Sequence, residues 1–443
     1  MTRKQVAVIG GGIAGISAAL ELCKHDLDIH LIEKSHFLGG KAINYNCKAV
    51  NGRCRQCGAC LVEQKLNQLN KADNVHYHLA SRVLEFEDKQ DFRLQLLKEP
   101  VYRTEKEQKI LEWLYKTNNR ENLVLKGISK NNQPLYALDL SRFEELEKKS
   151  SSLALTEIGK QLGIKSRRKE SIQVDALIAA TGFRAFNPGK IGTYHYQNLD
   201  NVISALDMEK IRKSRGEYLR PSDDRPPGKI SFIQCVGSRS ESKGNPWCSR
   251  VCCSYALKMA EAISAENPDI DITFFYMDMQ NMGVNSTISP LNTDFGFRFI
   301  RMMPVDILPG TDSGVLIRYM SPQTERMESE EFDLSILSVG TEPNPENTYM
   351  AKLMDKPLDR HGFFRESSRF DPGFAKDKGV FAAGTATGPK SIAESAEHAT
   401  EAVNKVVNYL SKQEKKDYGY EDRFILDKSS GYRERMDRHF HGK

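Results

Sequence analysis

Eight of the nine cysteines fall in two short groups: Cys47, Cys54, Cys57 and Cys60, then Cys235, Cys248, Cys252 and Cys253. Thiols grouped this closely, in a chain that opens without a signal-peptide pattern, point to metal or redox chemistry before a disulfide framework. In the first group the C-x2-C-x2-C run, with small Gly58 and Ala59 inside it, lets one loop wrap three corners of a cluster. Cys47 supplies the fourth ligand. No proline follows, so it is not a complete bacterial ferredoxin run. In the second group Cys235 arrives from a strand end. Cys248 and Cys252 are four apart, hence expected on one face at a helix start, with Cys253 adjacent. Four thiolates meeting at a helix N-terminus suit a cubane 4Fe–4S cluster, whose negative charge the helix dipole and Arg239 or Arg250 offset. Zinc is the rival reading for both groups, and unliganded thiols the third at the second group. At the second group zinc is disfavoured by the adjacent cysteines and the missing zinc-ribbon pairing. Cys23, alone on an apolar helical face, reads as a core thiol.

The elements around these cysteines are legible as well. Val6-Ala-Val-Ile9 is a short apolar strand. Gly10-Gly11-Gly12-Ile13-Ala14-Gly15 follows and meets the G-x-G-x-x-G pattern. A helix carries Ile13, Ile16, Leu20 and Cys23 on one face, and Leu27–Ile32 is a second strand closed by Glu33. Strand, glycine turn, helix, strand and acid in this order make a dinucleotide-binding βαβ unit. Gly10 makes the turn, Gly12 lets backbone approach a pyrophosphate, and Gly15 lets helix pack on strand. The helix start at Ile13 and Ala14 turns its N–H groups to the phosphates, and Glu33 accepts from the ribose hydroxyls.

FAD is favoured over NAD by two later features. Gly39-Gly40-Lys41 is a second glycine pair where backbone can pass a diphosphate. Gly379–Gly384-Thr385 is a strand leading to a helix opened by Gly388-Pro389, with Ile392, Ala396, Ala399, Val403, Val406 and Leu410 on one stripe. Its N-terminus offers positive potential to a flavin N1/O2 edge, although an ordinary closing βα unit would look similar. The candidate FAD contacts are Gly10, Gly12, Ile13, Ala14, Gly15, Glu33, Lys34, Gly40, Lys41, Val83, Thr181, Gly182, Gly384, Thr385, Pro389 and Ile392.

The chain has 443 residues, enough for two or three domains. Hydrophobic residues at 39% and charged residues at 28% exclude overall disorder. A net charge of +5, from 64 basic against 59 acidic residues, is too weak and dispersed to argue for nucleic acid. No apolar run approaches the roughly 20 residues that span a bilayer, so a cytoplasmic chain is expected. Lys229–Gln234, Ser249–Ser264 and Asp271–Tyr276 form a second βαβ unit, yet its turn carries Cys235 and its companions where a pyridine-nucleotide domain would carry glycines. Asp175–Gly182 and Asp333–Pro343 read as crossings between two domains. The expected fold is α/β, two Rossmann-like domains of the thioredoxin-reductase/glutathione-reductase flavoprotein type with a charged insertion. The boundaries are 1–185 with the insertion at about 101–170, then 186–345, then 346–412, and a charged tail at 413–443. Helices are expected at Arg103–Lys116 and Arg142–Lys149; the tail reads as a disordered end or a partner-docking extension, its aromatics favouring docking. His195 and His398, both isolated, read as structural.

Phe232-Ile-Gln-Cys-Val-Gly-Ser-Arg239, with Trp247-Cys-Ser-Arg-Val-Cys-Cys-Ser-Tyr-Ala-Leu-Lys258, resembles the signature of the heterodisulfide reductase A-type family of flavoprotein subunits. That family includes the corresponding flavoprotein of quinone-interacting membrane-bound oxidoreductase. The resemblance implies FAD, a 4Fe–4S cluster on Cys235, Cys248, Cys252 and Cys253, and a catalytic lysine, Lys258, approaching flavin N5. In flavin disulfide reductases a redox cysteine pair follows the glycine pair. Here Ala42 fills its first position and Cys47 its second, which implies a cluster beside the isoalloxazine. Residues 101–170 and all positions after Cys253 lack cysteine, unlike long family members with ferredoxin inserts, so a short form with two clusters is implied.

The function expected is electron transfer between FAD, clusters and partner subunits of the B and C type or ferredoxin-like carriers, with electron bifurcation or confurcation as its extension. A homodimer within such a complex and membrane association through partners are compatible with it. A stand-alone NAD(P)H-dependent flavin reductase and a zinc-stabilised flavin scaffold are the alternatives.

Overall fold

The computed structural model describes residues 3–88, 92–98, 123–128, 134–138, 168–279, 295–366 and 379–417. The helices expected at 103–116 and 142–149, and the aromatic tail after 417, lie outside these residues. The N-terminal apolar run forms β1 (Lys4–Ile9), followed by α1 (Ile13–Leu22), β2 (Leu27–Ile32), α2 (Ala59–Leu69) and β3 (Val75–His78). Two antiparallel units come next. One is a meander of β4 (Ser81–Asp88), β5 (Phe92–Lys98) and β8 (Arg168–Val174); the other, inside it in sequence, is the hairpin of β6 (Leu123–Ile128) and β7 (Pro134–Leu138). The chain re-enters the first sheet as β9 (Ala176–Ala179) and leaves it through β10 (Phe183–Ala185).

A second α/β unit follows: β11 (Val202–Ser204), α3 (Ala205–Arg215), β12 (Lys229–Val236), α4 (Cys252–Glu266), β13 (Asp271–Phe275) and β14 (Arg298–Ile300). It too has an antiparallel meander, β15 (Asp306–Pro309), β16 (Val315–Met320) and β17 (Met327–Phe332), before β18 (Leu334–Val339) closes its sheet. The return runs through β19 (Thr341–Pro343), α5 (Glu346–Leu353), β20 (Val380–Ala382) and α6 (Ile392–Asp417).

Both main sheets are parallel and five-stranded, ordered β20-β9-β1-β2-β3 and β11-β18-β12-β13-β14. Each strand order reverses beside the central strand, β1 or β12, which is where open α/β sheets leave a crevice at their C-terminal ends. Strands β10 and β19 pair antiparallel, Phe183 with Pro343 and Ala185 with Thr341. Arg184 and Lys190 both reach Glu342 there, at 2.8 and 3.3 Å. The stripe of α6 is buried at Ala396, Ala399, Val403, Val406 and Leu410, and most of it joins one core with α1 and β1. Among the described residues no helix is long and apolar enough to cross a membrane.

Candidate functional site

The glycines of the first turn divide into two kinds. Gly10 has φ +113°, and a Cβ there would lie 2.2 Å from the Ala180 carbonyl oxygen. A Cβ on Gly15 would lie 1.7 Å from the Gly10 carbonyl oxygen. Those two are demanded by the packing of strand, turn and helix. At Gly12 the nearest non-adjacent atom of the described residues to an added Cβ is the Gly40 Cα, 3.9 Å away, so this glycine keeps open a space beside the Gly39-Gly40 turn. That turn is tied down where Gly39 N–H donates to the Gly11 carbonyl at 2.7 Å.

Glu33, 9% exposed, accepts from Gly11 N–H at 2.6 Å and from Ser35 N–H at 2.7 Å, one on each oxygen. Each carboxylate oxygen keeps further acceptor capacity for a ribose hydroxyl. Ile13 and Ala14 open α1 directly after the glycine turn. The later segment comes to the same place, since a Cβ on Gly384 (φ +65°) would meet the Ala14 Cβ at 2.5 Å.

Gly384 N–H donates to His398 Nδ1 at 2.9 Å, and His398 Nε2 faces Glu366 at 2.7 Å. This requires the Nε2–H tautomer, and that hydrogen bond holds the Glu366 carboxyl down at about 2. The isolated histidine of the sequence thus anchors the loop that opens α6. Thr181 hydroxyl donates to Asn347 Oδ1 at 2.7 Å, its carbonyl accepts from Asn344 at 2.6 Å, and Gly182 follows at φ +76°. Thr385 and Pro389 lie along the approach to α6, and Ile392 is its first residue. Lys34 is paired with Glu346 at 2.9 Å, and Lys41 Nζ lies 5.2 Å from the Phe183 ring centroid. Val83 is buried in the core beside β1 and β9, so only its backbone is left to face a ligand.

The second cysteine group sits at the same end of the other sheet. Strand β12 is irregular between Ile233 and Val236, and Cys235 takes the left-handed region at φ +55°, as do Gly237 and Arg239. The bulge aims Cys235 away from the ladder. Cys252 and Cys253 occupy the first turn of α4, and all three thiols are buried. The helix begins at Cys252, so Cys248 stands in the turn before it and does not share its face, contrary to what the four-residue spacing predicts. The intervening Ser249 and Arg250 are held otherwise. Ser249 Oγ accepts from Thr341 N–H at 3.0 Å, and Arg250 is left-handed at φ +64°.

A hydrogen bond from Cys252 lowers the Cys235 thiol, with Arg239 acting in the same direction, while Cys252 itself is pushed well up. Burial raises Cys248, and the charges of Cys235 and Cys253 add to this. The loop is stitched by Asn245 to the Gly237 carbonyl at 2.9 Å, Arg239 N–H to the Trp247 carbonyl at 2.9 Å, and Trp247 Nε1 to the Thr341 carbonyl at 2.9 Å. Arg250 then reaches the Pro389 carbonyl at 3.2 Å and Glu394 at 2.7 Å, fastening this loop to the start of α6.

In the first group Cys47, Cys54 and Cys60 are exposed and Cys57 half-buried. Left-handed Asn51, Gly52, Gln56 and Gly58 coil the loop tightly. It rests on α4 through Arg55 to Glu261 at 2.9 Å and Lys258 Nζ to the Gln56 carbonyl at 3.3 Å. A Cβ on Gly58 would touch the Ile392 Cβ at 3.1 Å. Cys47 is bracketed by a network that no local pattern announces. Glu209 accepts from Asn46 N–H at 2.9 Å, Asn46 Nδ2 at 2.6 Å, Lys48 Nζ at 2.6 Å and the Tyr255 hydroxyl at 2.7 Å. Lys48 and Glu209 side chains are each 1% exposed.

Among the described residues no three His, Cys, Asp or Glu side chains are set to hold a metal ion. For a cluster, the donor chemistry of the second group fits. Three buried thiols and a fourth beside them gather at one strand bulge and one helix start, with the positive helix end and Arg239 facing them.

The model of the FAD dependent oxidoreductase family matches residues 5–147. The chain is 27% identical over 413 residues to the A-type component of the H(2):CoB-CoM heterodisulfide,ferredoxin reductase of Methanothermobacter marburgensis, covering 89% of this chain and 62% of that protein. It is 28% identical over 428 residues to the iron-sulfur component, also A-type, of the CoB--CoM heterodisulfide reductase of Methanocaldococcus jannaschii, covering 91% and 64%. The chain therefore spans less than two thirds of the length of these relatives. Thioredoxin reductase of Lactococcus lactis superposes with a TM-score of 0.51 at 14% identity, over 93% of this chain and 100% of that one. The enzyme from T. acidophilum gives 0.51 at 13% identity, over 92% and 99%. The fold is that of the thioredoxin-reductase flavoproteins, with FAD the dinucleotide supported by the family model. The resemblance carried by Phe232–Lys258 extends along most of the chain, which is similar in sequence to the A-type heterodisulfide reductase subunits.

Proposed function

We propose that this chain is an FAD- and iron–sulfur-carrying electron-transfer component of a heterodisulfide-reductase-like complex. The observation that carries the proposal is the convergence of both cysteine groups on the start of α6: Arg250 ties one to Pro389 and Glu394, and Gly58 of the other packs on Ile392. FAD, when bound, supplies exchange between two-electron and one-electron traffic, and 4Fe–4S clusters supply one-electron transfer.

The chain's own residues set the conditions. Gly12 leaves room for a diphosphate, and Gly40, where an added Cβ would meet the Gly12 Cα at 2.9 Å, lets the second glycine turn close beside it, with Ile13 and Ala14 N–H groups at the helix start to bind the phosphates. Glu33, fixed by Gly11 and Ser35, presents its remaining lone pairs to the ribose. Gly384, Thr385 and Pro389 position the α6 N-terminus, whose dipole favours negative charge on the pyrimidine edge. Cys235, Cys248, Cys252 and Cys253 hold one cluster, and Cys47, Cys54, Cys57 and Cys60 a second. Lys258, on α4 between the two groups, is the cation proposed for flavin N5. B- and C-type subunits, together with ferredoxin-like carriers, are the partners proposed, with substrate sites on them.

Anaerobically purified protein tests this in a sealed cuvette. About one FAD per chain is expected, bleached by dithionite and unchanged by NADH or NADPH. Rapid bleaching by either nicotinamide, with no acid-labile sulfide present, would establish the stand-alone reductase in its place.

A further inference from the structure

Gln234 is 0% exposed, and neither end of its amide has a hydrogen-bond partner among the described residues. Ser338 Oγ, in a residue 1% exposed, is unpartnered in the same sense. Protein interiors seldom leave both ends of an amide unmet, because the group has given up its water for nothing. The two residues are neighbours. They stand immediately beyond the paired Ile233 and Leu337, near the C-terminal ends of β12 and β18.

Alternation along the strands gives their direction. Ile230 and Phe232 of β12, with Leu334 and Ile336 of β18, pack against Ala256, Met259 and Ala260 of α4. Gln234 and Ser338 continue these two rows on the same face. At the C-terminal end of a parallel sheet that face meets the start of the packed helix, and the start of α4 is Cys252-Cys253. Cys235 follows Gln234 directly in the chain.

We infer that Gln234, through Nε2–H, and Ser338, through Oγ–H, are hydrogen-bond donors to the sulfur atoms of the redox centre held by Cys235, Cys248, Cys252 and Cys253. The inference rests on the iron–sulfur reading of that group proposed above. Both are tuning residues, not ligands. A reduced centre carries one more negative charge than an oxidised one, so donors aimed at its sulfurs stabilise the reduced form more and raise its potential.

The test is an EPR-monitored redox titration of the full chain, purified anaerobically, as wild type, Gln234→Leu and Ser338→Ala. In Gln234→Leu the reduction equilibrium of this centre is expected to fall about tenfold, a shift of about 59 mV to lower potential for one electron. Ser338→Ala moves it the same way by less. FAD content and the signal of the first cysteine group stay as in wild type. Should Gln234→Leu fail to assemble its centre, Ser338→Ala and Gln234→Glu carry the test, the latter with a larger downward shift. A full complement of iron and sulfide with an unmoved potential assigns the two polar groups to a buried water and overturns the inference alone. Wild-type protein without iron and sulfide overturns the proposed function along with it.

Discussion

In the first sheet three residues, Gly10–Gly12, join β1 to α1; in the second, fifteen residues, 237–251, join β12 to α4. The sheets otherwise correspond closely. Each has its central strand beside the reversal of strand order, and each has a three-stranded antiparallel meander before the strand that rejoins it. A short glycine turn sets the helix N-terminus against the strand end, where bare amides and the dipole accept an anion. The long loop instead interposes Asn245, Trp247 and Cys248, and the first helical turn is filled with Cys252 and Cys253. The same arrangement, a positive helix end at a sheet's switch point, thus meets a bare glycine turn in one unit and a pair of cysteines in the other, and the proposed function assigns a pyrophosphate to the first and thiolates to the second.

Substitution has its strongest consequence at the second turn. Cys252→Ala should remove about four irons per chain while FAD remains, whereas Cys23→Ala should change neither, as read by iron and flavin assays. If Cys252→Ala leaves the iron unchanged, the thiolate half of the comparison is wrong. Next is the link between the two units. Lys48→Met strands the Glu209 carboxylate in a buried site and should cost about 3–5 kcal/mol in denaturant titrations. Replacing both partners by apolar residues should recover part of this.

The glycines of the first turn respond differently from one another. Gly10→Ala pushes a methyl into backbone and should cost about 2–3 kcal/mol. Gly12→Ala, whose added Cβ meets no non-adjacent atom of the described residues nearer than 3.9 Å, should alter stability by less than about 0.5 kcal/mol yet lower FAD occupancy. Equal flavin retention in Gly12→Ala and wild type would show that this turn does not face the cofactor.

Acid sensitivity is the smallest effect. Burial and the neighbouring His78 and His76 lower His30 from 6.5 to about 4. Its neutral form is the one folded, so stability is full above pH 6.5 and declines as pH falls towards 4. Glu366 is lowered from 4.5 to about 2, so its contribution is present above pH 4.5 and lost as pH falls towards 2. Its side chain is 41% exposed, and solvent screening limits the contribution to about 1 kcal/mol or less. Glu366→Gln should flatten the lower window in pH-dependent melting and leave the upper one in place.

Much of this is legible in the sequence because the signals are local. The first βαβ unit follows from four apolar residues, three glycines and an acid within one short segment. The glycine-ended apolar strands at 175–182 and 333–343 are visible in the sequence, and β10 and β19 pair where they end. What is not legible depends on contacts distant in sequence. Lys48 and Glu209 lie 161 positions apart, and nothing about either suggests a buried pair. The position of Cys248 escapes spacing alone, which does not tell a helical turn from the irregular turn before it, where Arg250 adopts a left-handed conformation. Gln234 and Ser338 look like ordinary strand residues until their missing partners are seen.

Quantifying iron and acid-labile sulfide in anaerobically prepared wild type and Cys252→Ala, with EPR of the dithionite-reduced samples, tests the central claim most directly. Loss of one cubane's worth of iron and sulfide, about four of each, together with one EPR signal and with FAD retained, is the result predicted. Stoichiometric zinc in place of iron, with no sulfide and no EPR signal in either protein, would contradict it.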